Sequence, residues 1–320
     1  MLGAAVVVAA TLGAVACVPG PPPLTPPSSE LTGLANVRVL ASFDRSAGQN
    51  AESVAPDADG GAIVGMVRAR QVVRVGADGG IEVLVAMPAP ASRTTPVVET
   101  AQVTGVARDA DGTVFFLYAA GQGGLTGIWR LVPGSTEPEL IVPMPADTFP
   151  NALLIDGPGD RFLVTDSTGG RVWEAPRVGG RASVWSADPA LAPSRFFGAN
   201  GLKLHAGAAW VSNYDAGTIV RIPLTQTGAS EAGVVRAAGL PGVDDFDFTG
   251  RGDEILAAIN DTSELVRIGA HGSRRTLLDG RDGLQGTTAV VVRGEMAFIT
   301  NGALRAGDRP ALRIAHLVGG

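Results

Sequence analysis

One pattern recurs six times along the chain, and it constrains the fold more than any other feature. Its clearest copy runs from Asn200 to Ala237, where GLKLH, AAWVSNY, TIVRIPL and VVRAA follow one another between Gly, Asp or Thr-Gly turns. Short β-branched runs separated by turn formers read as a four-stranded antiparallel meander. The same order recurs from Ser53 (SVAPD, AIVGMV, QVVRVG, IEVLVAM), from Thr104 (TGVARD, VFFLYAA, GIWRLV, PELIV) and from Asn151 (ALLID, RFLVTDS, RVWEAP, ASVWSA). It returns from Asp244 (DFDFTG, EILAAIN, ELVRIG, RRTLLD) and from Thr287 (TAVVVR, MAFITN, ALRIAHL), where only three strands are readable. The units open at positions 52, 104, 151, 200, 244 and 287, at spacings of 52, 47, 49, 44 and 43 residues. Such periods suit propeller blades and are too long for leucine-rich or hexapeptide solenoids. Val37 to Phe43 (VRVLASF) has no partner of its own. Pairing it with the last unit closes the ring and removes two exposed sheet edges. No stretch shows helical periodicity. The sequence therefore predicts an all-β chain, a six-bladed β-propeller of four-stranded antiparallel blades over residues 37–320.

Composition agrees and excludes one class of partner. The 44 glycines and 22 prolines suit a chain that turns often. A formal charge of −6, with basic residues scattered singly, speaks against nucleic acid, whose phosphates need a basic face. Leu2 to Val18 is an almost unbroken apolar run that reads as an export signal over residues 1–17. Ala14-Val15-Ala16-Cys17 resembles a bacterial lipobox, so two fates stay open: a lipid tether through Cys17 at the cell surface, or plain cleavage and secretion. Cys17 is the only cysteine, which leaves the mature domain without a disulfide. Residues 18–36, rich in Pro and Ser at their start, are expected to be an extended tether. A ring closed within one chain is expected to be monomeric.

Propeller geometry then says where a site can form. First strands line the central channel, and their starts meet on one face, where the second strands end. The residues at those starts are Glu52, Thr104, Asn151, Asn200, Asp244 and Thr287, all of which carry a side-chain oxygen. Two carboxylates gathered near an axis repel unless one is protonated or a cation lies between them. An all-oxygen set suits a hard divalent cation, Ca²⁺ first, rather than zinc. The same residue types are also common turn formers at strand starts, so a purely structural role stays open.

The blade count and several strings resemble the senescence marker protein (regucalcin)/gluconolactonase family, whose members hold one divalent cation on the axis. Glu52 opens the first blade as that family's metal-binding glutamate does. Asn200-Gly201-Leu202 is similar to its Asn-Gly-Leu, and Asn151 after Phe149-Pro150 to a further asparagine near metal and substrate. Asp244, after Leu240-Pro241-Gly242-Val243, stands where the family's aspartate falls, which is a ligand and the general base. The resemblance implies a metal set of Glu52, Asn151, Asn200 and Asp244, with Asp244 catalytic. It spans roughly residues 37–318 and departs at telling places. Ser53-Val54 follows the glutamate where Gly-Pro is usual, and blade three reads Asn-Ala-Leu. Phe149 replaces the arginine that sugar lactonases turn to substrate, so the expected substrate is apolar rather than a sugar lactone. NGLKL, SNYDAGTIVRIP and LPGVDDFDF look closest to a divergent branch that includes hetero-Diels–Alderase-like proteins.

The rim supplies the remaining candidates. Phe149, Phe196 and Phe197 precede inner strands, and Tyr118 and Tyr214 lie near second-strand ends, as do Asp166, Asn213, Asn260 and Asn301. Phe149, Thr104, Phe197, Tyr214 and Thr287 are the candidate substrate contacts. Asp57-Ala58-Asp59-Gly60 and Asp109-Ala110-Asp111-Gly112 read as hairpin turns rather than calcium loops. The three histidines, His205, His271 and His316, fall on different blades away from the strand starts, which leaves a Ser-His-Asp triad unsupported. The leading reading is metal-dependent hydrolysis of a lactone or similar ester. The alternative is a non-hydrolytic pocket, either a small-molecule binder or a hetero-Diels–Alderase-like cyclisation enzyme. A loop surface that binds another protein or a polysaccharide is a third.

Overall fold

A computed structural model describes residues 30–91 and 95–319. The apolar run, Cys17 and most of the tether lie outside them. The chain opens with β1 (Leu31–Ser42) and then lays down blades in order. Blade 1 is β2 (Ala51–Pro56), β3 (Ala62–Met66), β4 (Gln71–Val75) and β5 (Ile81–Ala86). Blade 2 is β6 (Gln102–Arg108), β7 (Val114–Ala119), β8 (Gly127–Leu131) and β9 (Glu139–Pro143). Blade 3 is β10 (Pro150–Asp156), β11 (Arg161–Asp166), β12 (Arg171–Pro176) and β13 (Ser183–Ser186). Blade 4 is β14 (Ala199–His205), β15 (Ala208–Asn213), β16 (Thr218–Pro223) and β17 (Val234–Ala237). Blade 5 is β18 (Val243–Phe248), β19 (Ile255–Ile259), β20 (Glu264–Ile268) and β21 (Arg274–Leu278). Blade 6 is β22 (Thr287–Arg293), β23 (Met296–Asn301) and β24 (Ala311–Gly319), completed on its outside by β1. All six sheets are antiparallel and four-stranded, as the repeats predicted, and only two short 3₁₀ turns interrupt the β structure among the described residues.

Burial along each blade follows from its place in the ring. The second strands β3, β7, β15 and β19 are buried on both faces, because each blade is packed between two others. The outer strands β5, β17 and β21 are mostly exposed. Six apolar clusters fill the spaces between neighbouring blades. A further one joins Ala119, Phe149 and Phe197 where the channel opens.

Two sequence boundaries shift. The closing strand begins at Leu31, so residues 31–36, read as tether, belong to the propeller. They pair with β24 as far as Leu31 opposite Gly319, and Leu31 is buried in the cluster between blades 5 and 6. The second shift comes from a β-bulge at the same place in every inner strand. Pairing is regular at Ala51, Val103, Pro150, Ala199, Val243 and Thr287, then breaks before Val54, Val106, Leu153, Leu202, Phe246 and Val290. A bulge adds an unpaired residue and re-aims its side chain. The first residues in the six bulges are Glu52, Thr104, Asn151, Asn200, Asp244 and Thr288. In blade 6 the equivalent position is therefore Thr288 and not Thr287, which is paired opposite Asn301. Asn260 likewise stands one residue beyond the position of Asn213, because Ile259 is the residue paired with Val243.

Candidate functional site

The bulges bring four of the sequence candidates together. Glu52, Asn151, Asn200 and Asp244 line one cavity of about 20 Å³ on the axis, with Ser53, Asp245 and Thr288. That is room for one water-sized particle. Asn200 donates from Nδ2 to Asp244 Oδ1 at 2.9 Å. Asn151 donates from Nδ2 to Ser167 Oγ at 3.1 Å, and Ser167 gives its own proton to the Ala199 carbonyl. Both amide nitrogens are thus committed, which leaves the two amide oxygens as the groups that can accept from, or ligate, something in the cavity.

The carboxylates are in electrostatic conflict. Burial, and then the charge of Asp245, push the Glu52 carboxyl up to about 7. Asp244 is raised well above the usual aspartate range by burial, then by Glu52 and Asp245, against the pull of the Asn200 hydrogen bond. No basic side chain pairs with either among the described ion pairs. A buried and a half-buried acid without a counter-ion, two amide oxygens and a cavity of ion size fit a divalent cation. Among the described residues no group of three or more His, Cys, Asp or Glu forms a metal cluster, so the fit rests on carboxamides as much as on carboxylates.

Hydroxyl groups on the second strands hold these residues in place, a feature the sequence reading missed. Ser212 Oγ accepts the Gly201 N–H at 2.7 Å and donates to the Asp244 carbonyl of the next blade at 2.6 Å. Thr165 Oγ1 takes the Ala152 N–H and donates to the Asn200 carbonyl, and Thr300 Oγ1 does the same between Ala289 and Glu52. Each hydroxyl satisfies a bulge amide and fixes the main chain of a site residue in its neighbour. The sequence signal is a Ser or Thr before Asp or Asn at the end of the second strand: Thr165-Asp166, Ser212-Asn213, Thr300-Asn301. Ser212→Ala should cost about 1–3 kcal/mol, since it orphans a buried N–H and a buried carbonyl. A urea melt unchanged from wild type would deny the bridge that role.

Above the axial cavity lies a chamber of about 90 Å³ whose lining includes Glu52, Asn200 and Asp244 as well as Phe149, Phe196, Phe197 and Tyr214. The two spaces therefore share a floor. Phe197 stacks on Phe149 at 4.7 Å and touches Phe196 at 4.1 Å between centroids, with Tyr214 edge-on at 6.5 Å. Phe149 is 1% exposed, so it backs the wall while Phe196 and Phe197 form its front. The Asp215 carboxylate pins the loop that carries them, accepting the N–H groups of Ser194, Arg195 and Phe196 at 2.6–2.8 Å. Tyr214 donates to Asp261 Oδ1 at 2.8 Å, and burial first, then Asp244, keep its phenol protonated far above neutrality. Val67, Val98, Gln102, Asn260 and Leu304 complete the lining, in which no Lys or Arg stands among the described residues.

Two expected substrate contacts are elsewhere. Thr104 is buried and its hydroxyl donates sideways to the Pro150 carbonyl, so it braces two blades and lines neither space. Thr287 is fully buried within the sheet, where its pairing with Asn301 turns it from the channel. Tyr118 is also core, its hydroxyl held by the Pro88 carbonyl. Asp57 is taken by Arg74 and Arg108 at 2.7 and 2.8 Å, and His205 packs on Phe248 beside Asp253, so neither enters the site.

No protein-family model matches the sequence, and no curated protein matches it. Solved structures do. The chain is similar to a gluconolactonase from Xanthomonas campestris at 17% identity, over 92% of this chain and 95% of that one, with a TM-score of 0.65. It is similar to regucalcin, a calcium-binding protein from Agrobacterium tumefaciens, at 14% identity over 91% and 95%, TM-score 0.64. An inactive virginiamycin B lyase from Staphylococcus aureus, solved with quinupristin, is similar at 14% identity over 85% and 82%, TM-score 0.58. Identities this low carry the fold. Regucalcin and gluconolactonase are the family whose motifs the sequence resembles.

Proposed function

We propose that this protein is a cation-dependent hydrolase of a small, largely apolar lactone or similar ester. One observation carries the reading: Glu52, Asn200 and Asp244 belong at once to the ion-sized cavity and to the aromatic chamber. An acyl group held in the chamber therefore lies against the axial carboxylates. Glu52, Asn151, Asn200 and Asp244 would hold one divalent cation, Ca²⁺ by the chemistry of the donors, and its contribution when bound is to polarise a carbonyl and make water more acidic.

The remaining work falls to the chain. Asn200 orients Asp244 by holding Oδ1, which leaves Oδ2 to take a proton from the attacking water. Phe196 and Phe197 grip the apolar part of the substrate and exclude bulk water. The aromatic wall of Phe149, Phe196, Phe197 and Tyr214 suits an apolar ligand better than a polyhydroxylated sugar, which favours an apolar substrate. The apolar run before Cys17 supports export, by secretion or on a lipid tether, so the substrate would be met outside the cell.

The test is a set of melts of chelator-stripped protein with and without Ca²⁺, Mg²⁺, Mn²⁺ or Zn²⁺, beside Glu52→Ala/Asp244→Ala. A ligand that binds only the folded state raises its melting temperature. The rise is expected in wild type and absent in the double variant, and lactone-panel hydrolysis should vanish in Asp244→Asn. No shift with any cation would remove the hydrolase. The aromatic wall favours the second reading in that event, a binder or cyclisation enzyme that works by positioning, to be sought as saturable binding of apolar ligands without turnover.

A further inference from the structure

Lys203 is the only lysine in the chain, every other basic side chain of fixed charge being arginine. It stands on β14, three residues beyond Asn200, with 19% of its side chain exposed. Its Nζ lies 2.7 Å from Asp245 Oδ1 and 5.7 Å from the centroid of the Phe246 ring. Asp245 is the third carboxylate of the axial cavity, next to Asp244 and facing the same space as Glu52, Asn151 and Asn200. It is packed tightly there: a Cβ on Gly201 would come within 2.5 Å of Asp245 Oδ1. The ammonium reaches no other axial acid within ion-pair distance. Asp245 therefore borders the same space as Glu52 and Asp244, without the three forming a metal-holding group as they stand, and the protein neutralises it itself.

We propose that Lys203 is a positioning residue that withholds Asp245 from the cation, fixing the ligand set at two carboxylates and two carboxamides. The inference rests on the cation reading of the preceding section. Its chemical sense lies in charge. Two carboxylates balance a divalent ion, whereas a third would leave the loaded site negative. That excess would tighten binding and blunt the ion's pull on a substrate carbonyl, because affinity for hard cations climbs with the number of charged ligands. A lysine suits the task, being a compact point charge on a flexible stem that can be threaded between two inner strands.

Calorimetric titration of the chelator-stripped protein with Ca²⁺ alone tests this on wild type, Lys203→Met, Asp245→Asn and the double variant. Circular dichroism melts report that each is folded. Lys203→Met is expected to bind Ca²⁺ about tenfold tighter, since a freed carboxylate joins the set. Asp245→Asn leaves the ammonium unpaired beside the cavity and should bind about tenfold more weakly. The double variant should return to within about threefold of wild type, as charge removed in pairs predicts. A folding defect alone cannot tighten binding, so the direction of the first change carries the test. Should Lys203→Met fail to fold, Asp245→Asn decides, and binding there equal to or tighter than wild type overturns the proposal. A folded Lys203→Met that binds no tighter than wild type overturns it too, and leaves the cation site standing. Wild type that takes up no cation overturns both.

Discussion

Freed of divalent cations, the protein is expected to melt highest near pH 5 and to lose about 3 kcal/mol of stability by pH 8.5. The cause is the pair of acids on the axis, Asp244 buried and Glu52 half-buried. Glu52 is pushed up to about 7 from an ordinary 4.5, by burial and then by Asp245. A raised value in the folded state means that folded protein keeps a proton the unfolded chain has already released. The stabilisation is complete below the unfolded value and is lost as pH climbs through about 7. At about 1.4 kcal/mol per pH unit, Glu52 alone accounts for about 3 kcal/mol, and Asp244 adds in the same direction. On the acid side the sign reverses. Asp57 is held low in spite of its burial, chiefly by Arg74, and Asp215 in spite of its burial by backbone amides. Their stabilisation is lost as pH falls through the carboxylate range, which sets the optimum between the two windows.

The drop should be visible as roughly 5 °C in melts run in chelator from pH 5 to pH 8.5. Glu52→Gln should remove most of it and should melt above wild type at the alkaline end. Saturating Ca²⁺ should remove it as well, because the ion relieves the repulsion that protons otherwise relieve. A wild-type melting temperature that holds steady or rises toward pH 8.5 in chelator would mean the two acids are not in conflict, and the case for a cation would go with it.

The ring was legible because its evidence is repetition: each blade needs a doubly buried second strand and turn residues at fixed intervals, and both leave marks in composition. Four axial residues were legible for the same reason, being the polar openings of those repeats. Which residue a bulge turns inward was not. Alternation along a strand says nothing about an inserted residue, so Thr287 and Thr288 are equivalent by pattern and differ by register alone. Residues 31–36 read as tether because the partner that makes them a strand lies at the far end of the chain. Lys203 and Asp245 were passed over because they belong to different repeats, and only curvature of the ring sets them 2.7 Å apart.

Glu254→Ala should cost about 3–5 kcal/mol. Glu254 is 3% exposed and its carboxylate receives the Leu31 N–H at 3.2 and 3.3 Å, the Thr249 hydroxyl at 2.9 Å and Arg267 Nε at 2.5 Å. Arg267, 8% exposed, also reaches Glu30 at 2.8 Å through Nη2. Blade 5 thus grips the first residue of the strand that closes blade 6. Alanine leaves the buried guanidinium with only an exposed partner and takes the carboxylate from the Leu31 amide. Glu30→Ala should matter little, since Glu30 is mostly in solvent and such pairs contribute under about 1 kcal/mol. Glu254→Leu/Arg267→Met should recover much of the loss, because apolar groups of similar size can replace a buried pair that neither partner can lose alone. The effect should reach the site, for Thr288 and Thr300 of blade 6 hold the Ala51 and Glu52 carbonyls across the closing seam. Glu254→Ala is therefore expected to bind Ca²⁺ more weakly as well as melt lower. A variant that melts within about 2 °C of wild type would place the start of β1 outside the cooperative unit. One that melts low yet binds the ion unchanged would show that closure stabilises the ring without positioning Glu52.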